Sequence, residues 1–231
     1  MKKIATHVHT APNSGCAKVP AEEIPARYLA KGYAGIFVTN HYMRYVFEDF
    51  YGIRDPEAQT EFFLSGYRRA KKAGDEIGLP VYLGAELNPD RYNTPGSSYP
   101  AREFLLYGAD EAFFCEHPRL YDLSQEELFD LCEEKGILMI QSHPFRIPTQ
   151  CGNPDAVHGV EVLNACIRHP SRNELAQAFA KEHGLLELAG DDFHEIGDEG
   201  RAATLVPDDC NSAAEIVRAI RAGRTEAVSL I

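Results

Sequence analysis

The chain has 231 residues, of which 44% are hydrophobic, and carries a formal net charge of −12. That composition supplies a sizeable core, while the acidic balance disfavours electrostatic binding of long nucleic acid. No apolar run is long enough to span a bilayer. Lys2 and Lys3 are not followed by a signal-peptide core, which predicts a cytoplasmic protein, and the length fits one domain over residues 1–231. Six scattered cysteines with no C-x-x-C pair predict free, mostly buried thiols.

In chain order, short apolar runs at 4–9, 35–39, 81–87, 104–108, 137–141, 159–163 and 185–189 alternate with helical patterns. This is the signature of an α/β fold built on parallel strands. "GIFVT" and "GILMI" are continuous apolar runs, as strands buried on both faces require. Phe63, Tyr67, Ala70, Ala73 and Ile77 recur at helical spacing and predict the core face of the longest helix. Residues 88–102 are rich in Pro, Gly and Asn, so a loop stands there in place of a helix. Ser124 with Glu127, Ser171 with Glu174 and Ser212 with Glu215 match the S-x-x-E capping box. Gly136, Gly184 and Gly223 stand where helices end. Seven strand units are one fewer than a complete TIM-type barrel has.

The chemistry-bearing residues cluster at the C-terminal ends of these strands. The first ends in His7 and His9, two apart and therefore on one face. "VTNH" brings His41, "GAEL" brings Glu86, "QSHP" brings His143, and "GDDFH" brings Asp192 and His194, again two apart. In barrel-like α/β folds such ends converge on one rim. Imidazole and carboxylate are ligands suited to Zn²⁺, Mn²⁺ or Fe²⁺. Five histidines with two or three carboxylates exceed what one tetrahedral ion uses, so the count predicts two or three divalent metal ions. His117, His158, His169 and His183 sit in loop or helix contexts without a partner and read as ordinary surface or capped residues.

"HVHT", "VTNH", "GAELN", "SHP" and "GDDFH" follow one another in an order and spacing similar to the PHP (polymerase and histidinol phosphatase) family, from His7 to His194. The resemblance implies a distorted (β/α)7 TIM-like barrel with up to three divalent ions and, commonly, phosphoesterase activity. It implies that His7, His9, His41, His143, Asp192 and His194 are metal ligands and that Glu86 bridges two ions. The chain departs from the family pattern twice. Ser14 stands where many members have an aspartate, and the fourth strand is entered by Glu103 and Phe104 rather than a histidine. Glu103 is either a substitute oxygen ligand or an exposed strand-edge carboxylate, with the second favoured. Together these departures predict two tightly held ions and a third that is weak or absent.

The expected activity is hydrolysis of a small phosphorylated substrate by a metal-activated water, with Glu86, His143 and Asp192 in the catalytic centre. A phosphoryl group calls for a guanidinium near the rim. Arg146, three residues beyond His143, is the first choice, ahead of Arg44 and Arg168, with Lys18 and Arg201 weaker. Glu161 and Asn164 are either groups that orient ligands or plain packing residues. The aromatic stretch after His41 either walls a pocket or covers the barrel mouth. The rival readings are an amidohydrolase-like enzyme for C–N or lactone bonds, and a non-catalytic metal-binding PHP module. Against the first stands the absence of a lysine at a strand end.

Overall fold

The computed structural model describes residues 1–89 and 102–231. Most of the loop expected over 88–102 lies outside the described residues. In chain order the elements are β1 (Lys2–Val8), α1 (Ile24–Ala30), β2 (Gly35–Val38), β3 (His41–Tyr42) and α2 (Pro56–Ile77). They continue with β4 (Val81–Leu87), β5 (Phe104–Tyr107), α3 (Glu111–Glu116), α4 (Gln125–Lys135) and β6 (Leu138–Gln141). The last are β7 (Gly159–Asn164), α5 (Asn173–His183), β8 (Leu186–Gly190), β9 (Ala202–Val206), α6 (Ala213–Arg221) and β10 (Glu226–Ser229).

The strands form one sheet in the order β10-β9-β1-β2-β4-β5-β6-β7-β8, with β3 paired to β4. The sheet curls into a nearly closed, distorted TIM-like barrel. The two ends meet through side chains: Thr6 Oγ1 donates to the carbonyl of Ala189 at 2.8 Å, and Ala189 N donates to Thr204 Oγ1 at 3.0 Å. Beyond them Val8 and Phe193 make a parallel bridge.

The seven expected strands are present, but not all are parallel. β5 runs antiparallel to both β4 and β6. A parallel neighbour needs a crossover, usually a helix, and the sequence between β4 and β5 has no helical pattern. Three strands were not foreseen, β3, β9 and β10; β3 is only two residues long, and β9 and β10 pair antiparallel outside β1.

Local signals explain most helix ends. The α2 helix starts with Asp55 accepting from Ala58 N and with Pro56 at its first position, and it ends at Gly78 with φ 75°. Ser124 and Glu127 form a complete capping box at α4. Ser171 does not cap α5; its hydroxyl donates to Asn164 Oδ1 instead, and Arg172 stands at the cap. The apolar stripe of α2 is also different from the expected one: Phe63 and Ala70 are buried, whereas Ile77 is 41% exposed. Gly66 and Gly74 take the inward positions, because a Cβ at Gly66 would lie 2.4 Å from Asn13 Oδ1 and one at Gly74 2.5 Å from the carbonyl of Leu79. Apolar periodicity cannot register a glycine chosen for close approach.

Ile216, Val217 and Ile220 of α6 pack with Ile4, Phe37, Tyr107, Leu138 and Leu188. One helix thus fills the barrel end opposite the histidines, leaving the other end for polar chemistry. All six cysteines are free, but only Cys132 and Cys210 are buried, and Cys16 and Cys115 are exposed. The expectation of mostly buried thiols therefore fails. Among the described residues no helix is long and apolar enough to cross a membrane.

Candidate metal centre

The barrel brings His7, His9, His41, Glu86, His143, Asp192 and His194 together at one rim. The parallel bridge does part of this: His9 N donates to the carbonyl of Phe193, and Phe193 N to that of His7. It sets the H-x-H and D-x-H pairs side by side. The β3–β4 register places His41 opposite Glu86. His143 and Asp192 hold φ values of 28° and 53°, in the left-handed region that non-glycine residues avoid. Such strain persists where surrounding contacts impose it.

Glu86 lies at the middle of the cluster. Its Oε1 is 3.4 Å from His7 Nε2 and 3.2 Å from His143 Nε2, and its Oε2 is 3.4 Å from His9 Nε2 and 3.1 Å from His41 Nε2. Asp192 Oδ1 is 3.4 Å from both His7 Nε2 and His9 Nε2. Donors about 2.0–2.1 Å from a tetrahedral ion are about 3.3 Å from one another, so these separations fit donors ringing cations. Among the described residues, four overlapping groups bring their donor atoms within 4.8 Å of one another: His9 with His41 and His194; His7 with His143 and Asp192; His7 with His9 and Glu86; and Glu86 with Glu103 and His143.

The outer partners decide which imidazole nitrogens are free. Glu161 Oε1 lies 3.0 Å from His7 Nδ1 and accepts its N–H. The Ser14 hydroxyl accepts His41 N–H at 3.0 Å and donates to Asn40 Oδ1 at 3.2 Å. Its remaining lone pair faces His9 Nδ1 at 3.1 Å, which makes that nitrogen a donor. The two Nε2 atoms then face each other at 3.0 Å with their lone pairs. A positive charge between them, a proton or a metal ion, removes that repulsion. The residues present therefore fit divalent cations.

Burial disfavours charge on every group here, and at His7, Glu86 and Asp192 the neighbours outweigh it. Burial pulls the His7 pKa down, but Asp192, Glu161 and Glu86 hold it well above the ordinary imidazole value. At His9 burial and the adjoining His194 and His41 act together, and its pKa falls well below that value. Glu86 and Asp192 are held ionised against burial, each first by His7. Burial and the charge of Glu86 raise the pKa of Glu103.

Other members of the shell were not evident beforehand. Ser142 Oγ donates to Glu86 Oε1 at 2.8 Å. The Asp198 carboxylate accepts from His194 N and Glu195 N at 2.9 Å, shaping the turn that carries His194. Glu161 and Asn164 belong to the orienting set: Glu161 Oε2 also accepts from His143 N at 3.1 Å and from Asn164 Nδ2 at 2.7 Å. Glu103 is not an exposed edge carboxylate. Its side chain is 17% exposed and its Oε2 is 3.6 Å from His143 Nε2. Because β5 is antiparallel, its start faces the rim.

A cavity of about 270 Å³ opens over the cluster, and Cys16, Tyr45, Glu103, Arg146, Arg168 and His169 are among the residues lining it. His169, read as an ordinary surface residue, is thus part of the wall. Arg146 Nη2 is committed to Asp192 Oδ2 at 2.6 Å and to Asn164 Oδ1 at 2.6 Å. Arg168 Nη1 binds both Asp198 oxygens, at 2.8 and 2.7 Å. Arg44 is not among the residues lining the cavity; it pairs with Asp122 and lies over the Tyr121 ring, although its neighbour Tyr45 reaches the cavity. Lys18 pairs with Glu195, and Arg201 Nε donates to the carbonyl of Ala165. The aromatic stretch divides: Tyr42 and Phe47 join the core, Tyr45 lines the cavity, and Phe50 is exposed.

Residues 170–225 match the PHP-associated family PHP_C. A search of curated proteins finds no match. A two-domain protein from Bacteroides vulgatus, containing a predicted PHP-like metal-dependent phosphoesterase, superposes with a TM-score of 0.69 at 17% identity. The match covers 99% of this chain but only 65% of that one. A candidate metal-dependent phosphoesterase from Bifidobacterium adolescentis matches at TM-score 0.54 and 15% identity, covering 95% of this chain and 96% of its own. An amidohydrolase from Chromobacterium violaceum, with bound sulfate and no metal, matches at TM-score 0.59 and 14% identity, covering 99% and 98%. At these identities the likeness is one of fold.

Proposed function

From a place in the PHP family, supported by the ordered histidine motifs, the matched segment and the barrel, we propose that this chain is a metal-dependent phosphoesterase acting on a small phosphorylated substrate at a centre of two or three divalent ions. One observation carries the reading: the imidazole nitrogens of His7, His9, His41 and His143 all lie within 3.4 Å of the Glu86 carboxylate.

His7, His9, His41, Glu86, His143, Asp192 and His194 would hold the ions. When bound, Zn²⁺, Mn²⁺ or Fe²⁺ supplies Lewis acidity to a phosphoryl oxygen and acidifies a water. The chain's own part is to aim the donors. Glu161 and Ser14 hold His7 and His9 by Nδ1, and Arg146 holds Asp192. Arg168, on the cavity wall, is the substrate-facing guanidinium that remains beside Arg146. A cavity of about 270 Å³ suits a phosphoryl group with a small leaving group.

The experiment is phosphate release from a panel of small monoesters and diesters by metal-loaded protein, with His143→Ala and Asp192→Ala beside the wild type. Both variants should lose release while keeping the native circular dichroism. Full activity in either would show that the site is misplaced. Turnover of an amide or lactone without phosphate release would favour the amidohydrolase-like reading. Inertness against all of these, with metal bound, would favour a non-catalytic module.

A further inference from the structure

The donors are not alike across the cluster. At one end His9, His41 and His194 converge, three imidazoles that meet the carboxylates of Glu86 and Asp192, 3.1–3.4 Å away, only on the side toward the middle of the cluster. Cys16 lines the same cavity, its Sγ 4.0 Å from His41 Nδ1. At the other end Glu86, Glu103 and His143 converge, two carboxylates to one imidazole. Thiolate and imidazole suit zinc, whereas carboxylate suits manganese or magnesium.

The first motif shows how the soft end arises. Ser14 is fully buried behind His9, with its hydroxyl engaged by His41 N and Asn40, so it cannot face the cavity. The chain reaches the wall two residues later, at Cys16. The hard end arises from strand direction. Ser142 N donates to the carbonyl of Glu103 at 2.9 Å, and this fixes the start of β5 beside His143.

We propose that the two ends discriminate between ions: Zn²⁺ at His9, His41 and His194 with the Cys16 thiolate as a further ligand, and Mn²⁺ at Glu86 and His143 with Glu103 as a ligand. The inference rests on the metal-centre reading and adds a division of labour within it. Zinc binds most nitrogen and oxygen sites more tightly than manganese. The discrimination is therefore one of order, with the first zinc going to the nitrogen–sulfur end.

The test gives metal-free protein one equivalent of Zn²⁺ with excess Mn²⁺ and removes unbound ions. It then reads metal content by mass spectrometry and the zinc environment by X-ray absorption. Wild-type protein should hold one zinc with a sulfur neighbour at about 2.3 Å, together with manganese. Cys16→Ser should lose the sulfur neighbour and keep its manganese. Glu103→His, which exchanges an oxygen donor for a nitrogen, should keep the zinc–sulfur contact and hold manganese at least tenfold more weakly. Zinc without a sulfur neighbour in the wild type would overturn the proposal, as would unchanged manganese affinity in Glu103→His. Because the readout is metal content, absence of phosphoester hydrolysis leaves this inference standing. A working phosphoesterase whose two ends fill without order would overturn it alone.

Discussion

Glu161 Oε1 lies 3.0 Å from His7 Nδ1, and the other oxygen of the same carboxylate accepts His143 N–H at 3.1 Å. One buried side chain of β7 thus holds two candidate ligands from two other segments. A carboxylate on the far nitrogen of a metal-binding imidazole fixes its tautomer and raises its basicity. Glu161→Gln should weaken metal binding by about 10–100-fold. Competition with a chelating indicator measures this, and unchanged affinity would mean that Glu161 only packs.

Gly190 has no room for a side chain. A Cβ there would sit 2.4 Å from Glu161 Oε1 and 2.6 Å from His7 Cβ. Gly190→Ala should lower unfolding stability by about 1–3 kcal/mol, as overpacking does, and displace the His7–Glu161 pair. Denaturant unfolding with metal titration should show both losses together. Loss of stability with unaltered metal binding would place the strain elsewhere.

Ser14 supports two candidate ligands from one hydroxyl. Ser14→Ala leaves His41 N–H and His9 Nδ1 without their acceptor in a fully buried place. The expected cost is about 1–3 kcal/mol in stability. Hydrogen exchange at His41 N should quicken in the variant, and an unchanged rate would count against the assignment.

Arg146→Met keeps much of the apolar stem but removes the cation from Asp192. Arg146 lies beside a carboxylate that is 1% exposed and is held ionised against burial by His7 and this arginine. Metal binding should persist or tighten if a bound ion alone satisfies Asp192. It should weaken about tenfold or more if Arg146 is needed to aim the carboxylate. Arg146 Nη2 ties Asp192 Oδ2 to Asn164 Oδ1, at 2.6 Å from each, which favours weakening, measured by the same titration.

His158 offers a pH test away from the centre. Its Nδ1 accepts Met139 N–H at 2.9 Å, and burial lowers its pKa despite Glu133. Below an unfolded pKa of about 6.5 the unfolded chain takes up a proton that the folded one resists. The stability contributed by neutral His158 is therefore present above that pH and lost as pH falls below it. His158→Asn, which keeps an acceptor for Met139 N, should flatten the fall in stability between pH 7 and pH 5. Parallel curves for wild type and variant would contradict this.

Part of the candidate site was legible because a donor side chain at a strand end needs no long-range knowledge. His7, His9, His41, Glu86, His143, Asp192 and His194 could be named from short apolar runs followed by imidazole or carboxylate. Glu103 was misjudged because strand direction was taken as uniform, and an antiparallel β5 turns its beginning toward the rim. Arg44 was misplaced because closeness to His41 in sequence says nothing about which way its side chain points, and Asp122 and Tyr121 draw it from the cavity that Tyr45 lines. Cys16 and His169 carried no periodic signal, and Ser142 was hidden beside a more conspicuous histidine.

What the sequence determined by itself was the alternation of strand and helix, the polar groups at the strand ends, and the glycine and serine signals at several helix termini. These depend on spacings of two and 3.6 residues along the chain. Only the tertiary structure decided the direction of β5, the closure of the barrel through Thr6 and Thr204, and which nitrogen of each histidine faces the cavity. Those outcomes depend on partners far away in sequence, such as Glu161, 154 positions from His7. Their contacts exist only once the sheet has curled.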